Sequence, residues 1–240
     1  MNLPIKIKSF FRKLLLGYDI QTYFFSQGGE DAILMSFFAK KLEAKEKGFF
    51  VDIGAYHPVK FSNTYLFYIN GWNGINVDAN PNSINLFNKT RPKDININMA
   101  ISDITIPQAF YFMENESNSM SSFSKENIIM QGMDKHISKK IELKPIRLED
   151  LFENQLNENQ EIDFMSIDVE GFELNVLQSN NWVKYRPTVL IIEQKGLTFT
   201  ENINDIVTEF LRTKGYCVFA KTLVTRDVCN LFYVDSGKMK

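Results

Sequence analysis

Short apolar runs alternate with stretches of helical period along this chain. Residues 49–53 read Phe-Phe-Val-Asp-Ile and stop at Gly54, the pattern of a strand buried on both faces of a parallel sheet. Residues 74–77 repeat it and end in Asp78, and residues 95–101 supply a third run. Further on, residues 162–167 end in Asp168 and residues 188–192 end in Glu193. Helical stretches fall between them: 62–69, a helix opened by Asn80-Pro81 and running through Phe87, 172–177 and 203–212. The chain finishes with runs at 216–223 and 228–234, close enough in sequence to pair as an antiparallel hairpin. The whole predicts an α/β doubly wound sheet, mostly parallel, whose ligands bind beyond the carboxyl ends of the strands.

Two regions stand outside this alternation. Within segment 1–25, residues 4–18 place Ile7, Phe10, Phe11, Leu14, Leu15 and Tyr18 at helical spacing among Lys6, Lys8, Arg12 and Lys13. This predicts a basic amphipathic helix, which either docks on its own domain, the reading we adopt, or makes peripheral contact with a membrane or partner. The main domain then spans 26–240 and opens with a helix from near Ser26 to about Lys45, with Glu30 and Asp31 in its first turn. An insertion at about 107–147 holds a strand-like 109–113, a polar stretch rich in Ser and Asn, and a strand at 141–146. It reads as a lid or substrate module.

Composition narrows the function classes. Hydrophobic residues make up 44% and charged residues 23% of 240, so the chain carries a normal core. Twenty-seven basic against 29 acidic residues, a net charge of −2, argue against a nucleic-acid partner. Two cysteines and two histidines make neither a disulfide framework nor a Cys/His zinc site, and a reducing cytoplasm is the expected compartment. No run approaches the ~20 apolar residues of a membrane span.

The candidate chemistry gathers at the strand ends. The turn after residues 49–53 has one glycine, Gly54, where a dinucleotide site needs three, so a ligand without a pyrophosphate suits it better. Asp52 would meet an ammonium group, and Asp78 at the end of the next strand would take both hydroxyls of a ribose. Both acids could instead cap the helices that follow. Asp168 and Glu170 flank Val169, and extended backbone there would point both carboxylates the same way. With Glu193 they offer a general base, an oxygen-ligand site for a divalent metal, or helix caps. His57, held extended by Pro58, is a further candidate base, and 119–122, Ser-Met-Ser-Ser, a candidate contact for a polyhydroxylated substrate.

Five segments then carry a resemblance. They are Ser26-Gln27-Gly28-Gly29-Glu30-Asp31; Val51-Asp52-Ile53-Gly54-Ala55; Gly71-Trp72-Asn73-Gly74 leading to Val77-Asp78-Ala79-Asn80-Pro81; Ala100-Ile101-Ser102-Asp103; and Ile167-Asp168-Val169-Glu170-Gly171-Phe172-Glu173. In that order the chain resembles the FkbM-type S-adenosylmethionine-dependent methyltransferases over about residues 26–195. The resemblance implies a class I methyltransferase fold, Rossmann-like, with S-adenosyl-L-methionine as cofactor. It also implies methyl transfer to oxygen, often on sugars or polyketide-like products. Asp78 departs from the pattern, since such proteins often carry Glu there. The expected cofactor contacts are Gln27, Glu30, Asp52, Gly54, Ala55, Asp78, Ala79 and Ser102, and the expected catalytic residues Asp168, Glu170, Glu193 and His57. The acceptor is then a hydroxyl of a glycan or small natural product, and a metal is compatible with the acids but not favoured. The alternative is a non-catalytic binding protein recruited to membrane-associated glycan assembly.

Overall fold

Every second residue of the central strands faces one of two helical layers, which is why those strands read as continuous apolar runs. The computed structural model describes residues 24–114 and 120–239; the predicted helix of residues 4–18 and Ser119 lie outside the described residues. In chain order the first half holds α1 (Glu30–Phe37), α2 (Ala39–Glu43), β1 (Phe49–Ile53), α3 (Tyr65–Ile69), β2 (Asn73–Asp78), α4 (Pro81–Thr90) and β3 (Ile95–Asn98). The insertion follows as β4 (Gln108–Met113), α5 (Lys125–Met130) and β5 (Ile137–Leu143). The second half holds α6 (Leu148–Gln155), β6 (Phe164–Ile167), α7 (Glu173–Gln178), β7 (Val189–Lys195), α8 (Phe199–Ile203), α9 (Ile206–Thr213), β8 (Tyr216–Leu223) and β9 (Val228–Asp235).

The main sheet has the order β3-β2-β1-β6-β7-β9-β8. Its first five strands are parallel, and β9 runs antiparallel between β7 and β8. On one face Val51, Ile53, Met165, Ile167 and Ile192 pack against Leu151 and Phe152 of α6, Val176 of α7 and Leu211 of α9. On the other Phe50, Phe164, Ile191 and Phe232 pack against Leu34, Phe67 and Trp72. Strands are added to one side of β1 as far as β3 and to its other side from β6 onward, so a crevice opens above the carboxyl ends of β1 and β6, the topological switch point of such sheets. Among the described residues no helix is long and apolar enough to cross a membrane.

Several boundaries differ from the sequence reading. The helix expected from Ser26 to Lys45 breaks at Phe38 into α1 and α2. The third strand ends at Asn98 rather than 101, because Ile101 leaves β2 and bridges Ile146 instead. The strand expected at 141–146 sits at 137–143, pairing antiparallel with β4 as a small separate sheet over the crevice. β7 continues two residues past Glu193.

Candidate active site

Gly54 is dictated by a chain crossing. Its φ is +81°, and a Cβ there would lie 1.7 Å from the Asp168 carbonyl oxygen, so the exits of β1 and β6 touch through this residue. The next residues turn sharply, and Tyr56, with φ +51°, aims its N–H at Asp78 Oδ2 at 2.7 Å. The Asn80 N–H donates to Asp78 Oδ1 at 2.7 Å. Two backbone donors thus clamp the Asp78 carboxylate, and each oxygen keeps a further lone pair. The cap of α4 is Asn80, whose side chain accepts from the Asn82 N–H, so Asp78 is not needed for capping. Burial pushes the Asp78 carboxyl up to about 6, against the pull of these hydrogen bonds.

Beside Asp78 lies a narrow slot of about 60 Å³ lined by Ala79, Met99, Ala100, Ile101, Phe110 and Phe172. Phe123 joins the lid to it: its ring is 4.9 Å from Phe110 on β4 and 5.4 Å from Phe172. The slot shares Gly54, Tyr56 and Asp168 with a wider cleft of about 690 Å³ over β1, β6 and β7. Gln27, Asp52, Ala55, Asn63, Asn175 and the acids Asp168, Glu170 and Glu193 all line that cleft.

Asp168, Glu170 and Glu193 converge, each offering a carboxylate oxygen within 4.8 Å of the others, close enough to hold a metal ion. Convergence does not come from extended backbone: Glu170 has φ +55° and Gly171 φ +98°, a left-handed turn that swings Glu170 under the lid. Burial and mutual repulsion favour protons in this cluster. Burial, then the charge of Glu170, push Glu193 up to about 8, while its hydrogen bond with Asp168 pulls the other way. Burial pushes Glu170 up to about 7, and burial with Glu193 beside it raises Asp168 well above the usual carboxylate range. No side chain caps α7; Glu173 instead fastens the turn before it, its Oε1 accepting from the N–H groups of Val169 (3.1 Å) and Gly171 (3.0 Å).

The lid closes on Glu170. Ser122 Oγ and Asn127 Nδ2 donate to its carbonyl at 2.8 and 3.0 Å, and Gln131 Nε2 donates to its Oε2 at 3.3 Å. Lys195 Nζ donates to Asn127 Oδ1 at 2.6 Å. Sequence reasoning missed Tyr56, Asn127, Gln131 and Lys195. The only available signal was the four-residue spacing of Asn127 and Gln131 behind Ser124, which caps α5.

Three expected site residues are placed elsewhere. Glu30 is 0% exposed, and its carboxylate accepts from the Gly28 N–H (2.8 Å), Asn230 Nδ2 (3.0 Å) and the Thr222 hydroxyl. It anchors the start of α1 to the C-terminal hairpin rather than facing the cleft. Ser102 is also fully buried and lines neither cavity; its hydroxyl accepts from the Ile104 N–H at 3.1 Å. His57 Nδ1 accepts from the N–H groups of Val59 (3.1 Å) and Lys60 (2.9 Å), so the ring closes its own turn. Burial and the Lys60 charge lower its pKa, and it lines neither cavity. The structure does not bring it to the acids.

The strand order, with a reversed final hairpin and a crevice of acids at the strand ends, is that of a class I methyltransferase. The chain belongs to the FkbM methyltransferases: the family model described as the methyltransferase FkbM domain matches residues 52–218, most of the sequence. It is therefore an S-adenosylmethionine-dependent methyltransferase. Among curated proteins none matches the chain. Among solved structures it is similar to a TehB-like SAM-dependent methyltransferase from Corynebacterium glutamicum, at 10% identity and TM-score 0.43, covering 96% of each chain. It is also similar to the METTL16 MTase domain, at 12% identity and TM-score 0.48, covering 98% of this chain and 82% of that one. A third is precorrin-6y C5,15-methyltransferase from Geobacter metallireducens, at 11% identity and TM-score 0.41, covering 86% and 87%.

Proposed function

We propose that this enzyme methylates a hydroxyl of a saccharide or small natural product, with the Asp168–Glu193 pair accepting the hydroxyl proton. The observation that carries the reading is the convergence of Asp168, Glu170 and Glu193 in the wide cleft, next to the largely apolar slot beside Asp78. The residues present fit S-adenosylmethionine. Ala79, Ala100 and Phe172 would flank the adenine, the clamped Asp78 would take the ribose hydroxyls, and Asp52 would meet the ammonium. When bound, this cofactor supplies an electrophilic methyl group on a positively charged sulfur. Asp168 and Glu193 hold the proton of the acceptor hydroxyl, Gln27, Asn63 and Asn175 offer neutral hydrogen bonds to a polyol, and Phe110 and Phe123 keep water from the slot.

Calorimetry with S-adenosylhomocysteine and with NAD tests the cofactor half. Binding of the first alone is expected, and Asp78→Ala should weaken it by roughly 1–3 kcal/mol. Binding of NAD without a response to S-adenosylhomocysteine would overturn the assignment. Mass spectrometry of neutral glycosides and hydroxylated natural products incubated with S-adenosylmethionine tests the acceptor half. Methylation found only on nitrogen or carbon would refute it.

A further inference from the structure

Arg91 is 0% exposed, which is unusual for a group that stays charged in any protein interior, and the fold explains only half of its bonds. One side of its guanidinium serves the sheet. Nε donates to Asp94 Oδ2 at 2.8 Å, and Asp94 in turn accepts from the Gly74 N–H at 3.1 Å and from Asn76 Nδ2 at 3.0 Å, fixing β2. The plane is held by the rings of Phe50, Tyr68 and Phe87, each with its centroid 5.0 to 5.2 Å from Cζ. The other side points toward the cleft. Nη1 donates to Thr64 Oγ1 at 2.9 Å, and Thr64 Oγ1 donates to Asp52 Oδ2, also at 2.9 Å.

A threonine hydroxyl has one proton and accepts through its lone pairs. Arg91 has no acceptor, so it fixes the direction of the chain: guanidinium to hydroxyl to carboxylate. Ser62 Oγ, 3.2 Å from Thr64 Oγ1, is then left to donate to it as well. Thr64 is fully buried and Asp52 is 6% exposed, so water cannot replace the hydroxyl, and Asp52 Oδ1 remains for a ligand in the cleft.

We propose that Thr64 is a positioning residue for the cofactor subsite, transmitting the buried Arg91 to Asp52 so that the Asp52 carboxylate is held ready for a cationic amine. This rests on the reading of Asp52 as the contact for the ligand's ammonium. Burial pushes the Asp52 carboxyl up to about 6, the Arg91 charge and the Thr64 hydrogen bond pull it down, and Asp94 raises it. Asp78 and Asp168 are the other acids whose charges couple to it. Affinity for an amine-bearing ligand should therefore fall as pH drops through the Asp52 transition. Removing the hydroxyl should move that transition to higher pH.

The experiment is calorimetric titration of the full chain with S-adenosylhomocysteine across that pH range, for wild type, Asp52→Asn, Thr64→Val and Thr64→Ser. Thr64→Val keeps the shape of the side chain and is expected to bind about tenfold more weakly, with its pH midpoint displaced upward. Thr64→Ser should restore both. Asp52→Asn should weaken binding and abolish the pH step. Asp52→Asn impaired with Thr64→Val like wild type at every pH would overturn the relay alone. Weakened binding in Thr64→Val with an unmoved midpoint and no rescue by serine would also overturn it, by making the threonine a packing residue. Unimpaired Asp52→Asn would overturn the underlying contact and the relay with it.

Discussion

Replacing Asp168 by Asn tests the acid pair most sharply, because the change keeps the shape and removes one charge. Carboxylate oxygens within 4.8 Å of one another repel by roughly 3 kcal/mol at an effective dielectric constant of about 20. That is about two pK units, enough for Asp168 and Glu193 to share a proton near neutral pH. A base works when deprotonated, so wild-type turnover should climb with pH and level off above the Glu193 transition at about 8. In Asp168→Asn turnover should drop by ~10²-fold or more. Asp168 acts on Glu193 as a hydrogen-bond donor, and the asparagine amide can keep that bond, so the residual activity should level off at about the same pH as in wild type. The assay is release of S-adenosylhomocysteine at saturating cofactor and acceptor, with calorimetry as a control for unchanged cofactor affinity. Undiminished turnover in Asp168→Asn would remove the residue from the reaction. Wild-type activity lost to a chelator and restored by Mg²⁺ would refute the proton reading and make the cluster a cation site.

Two further predictions concern the frame around the site. Glu30→Ala leaves Asn230, Thr222 and the Gly28 N–H without their buried acceptor and should lower unfolding stability by about 2–3 kcal/mol in urea; a wild-type midpoint would refute the anchor. Gly54→Ala drives a Cβ into the Asp168 carbonyl at a φ of +81° and should cost at least ~3 kcal/mol or prevent folding, whereas a stable variant would show that the two strand exits can part.

What could be read from the sequence was whatever has a local cause. β1 is legible because all five of its residues are buried, so its apolar run is unbroken apart from Asp52, and an acid inside such a run announces itself. Asp78 and Asp168 are legible on the same ground. The insertion was not: α5 is six residues long in a polar stretch, and β5 exposes Ser138, Lys139 and Lys140 in succession, which spoils any alternation. Glu30 was misplaced because its partners Thr222 and Asn230 lie at the other end of the chain, and no short motif reports them. His57 was misplaced for the opposite reason. Its bonds are local, to Val59 and Lys60, but the residue before a proline carries no mark of which ring nitrogen its own turn consumes. Arg91 reads in sequence as an ordinary charge after a helix; only its packing between three rings reveals it.

The acids of the crevice are one residue type in three electrostatic situations, and the difference decides what each can do. Asp78 and Glu173 are each held by two backbone N–H groups, donors that cannot move, so they are rigid acceptors suited to binding or to fastening a turn. Asp52 is held by one hydroxyl backed by a buried guanidinium, which fixes one oxygen and leaves the other for a cation. Asp168, Glu170 and Glu193 have mainly one another, so near neutral pH they keep protons that isolated carboxylates would lose. A positive charge arriving beside that last group favours its ionised form, and by linkage the ionised form favours the positive charge. On the proposed reading the base is therefore weakest as a charge and fullest of protons in the free enzyme. It becomes competent to accept a hydroxyl proton when a cationic methyl donor lies against it, which ties deprotonation of the acceptor to the presence of the group that will receive its oxygen.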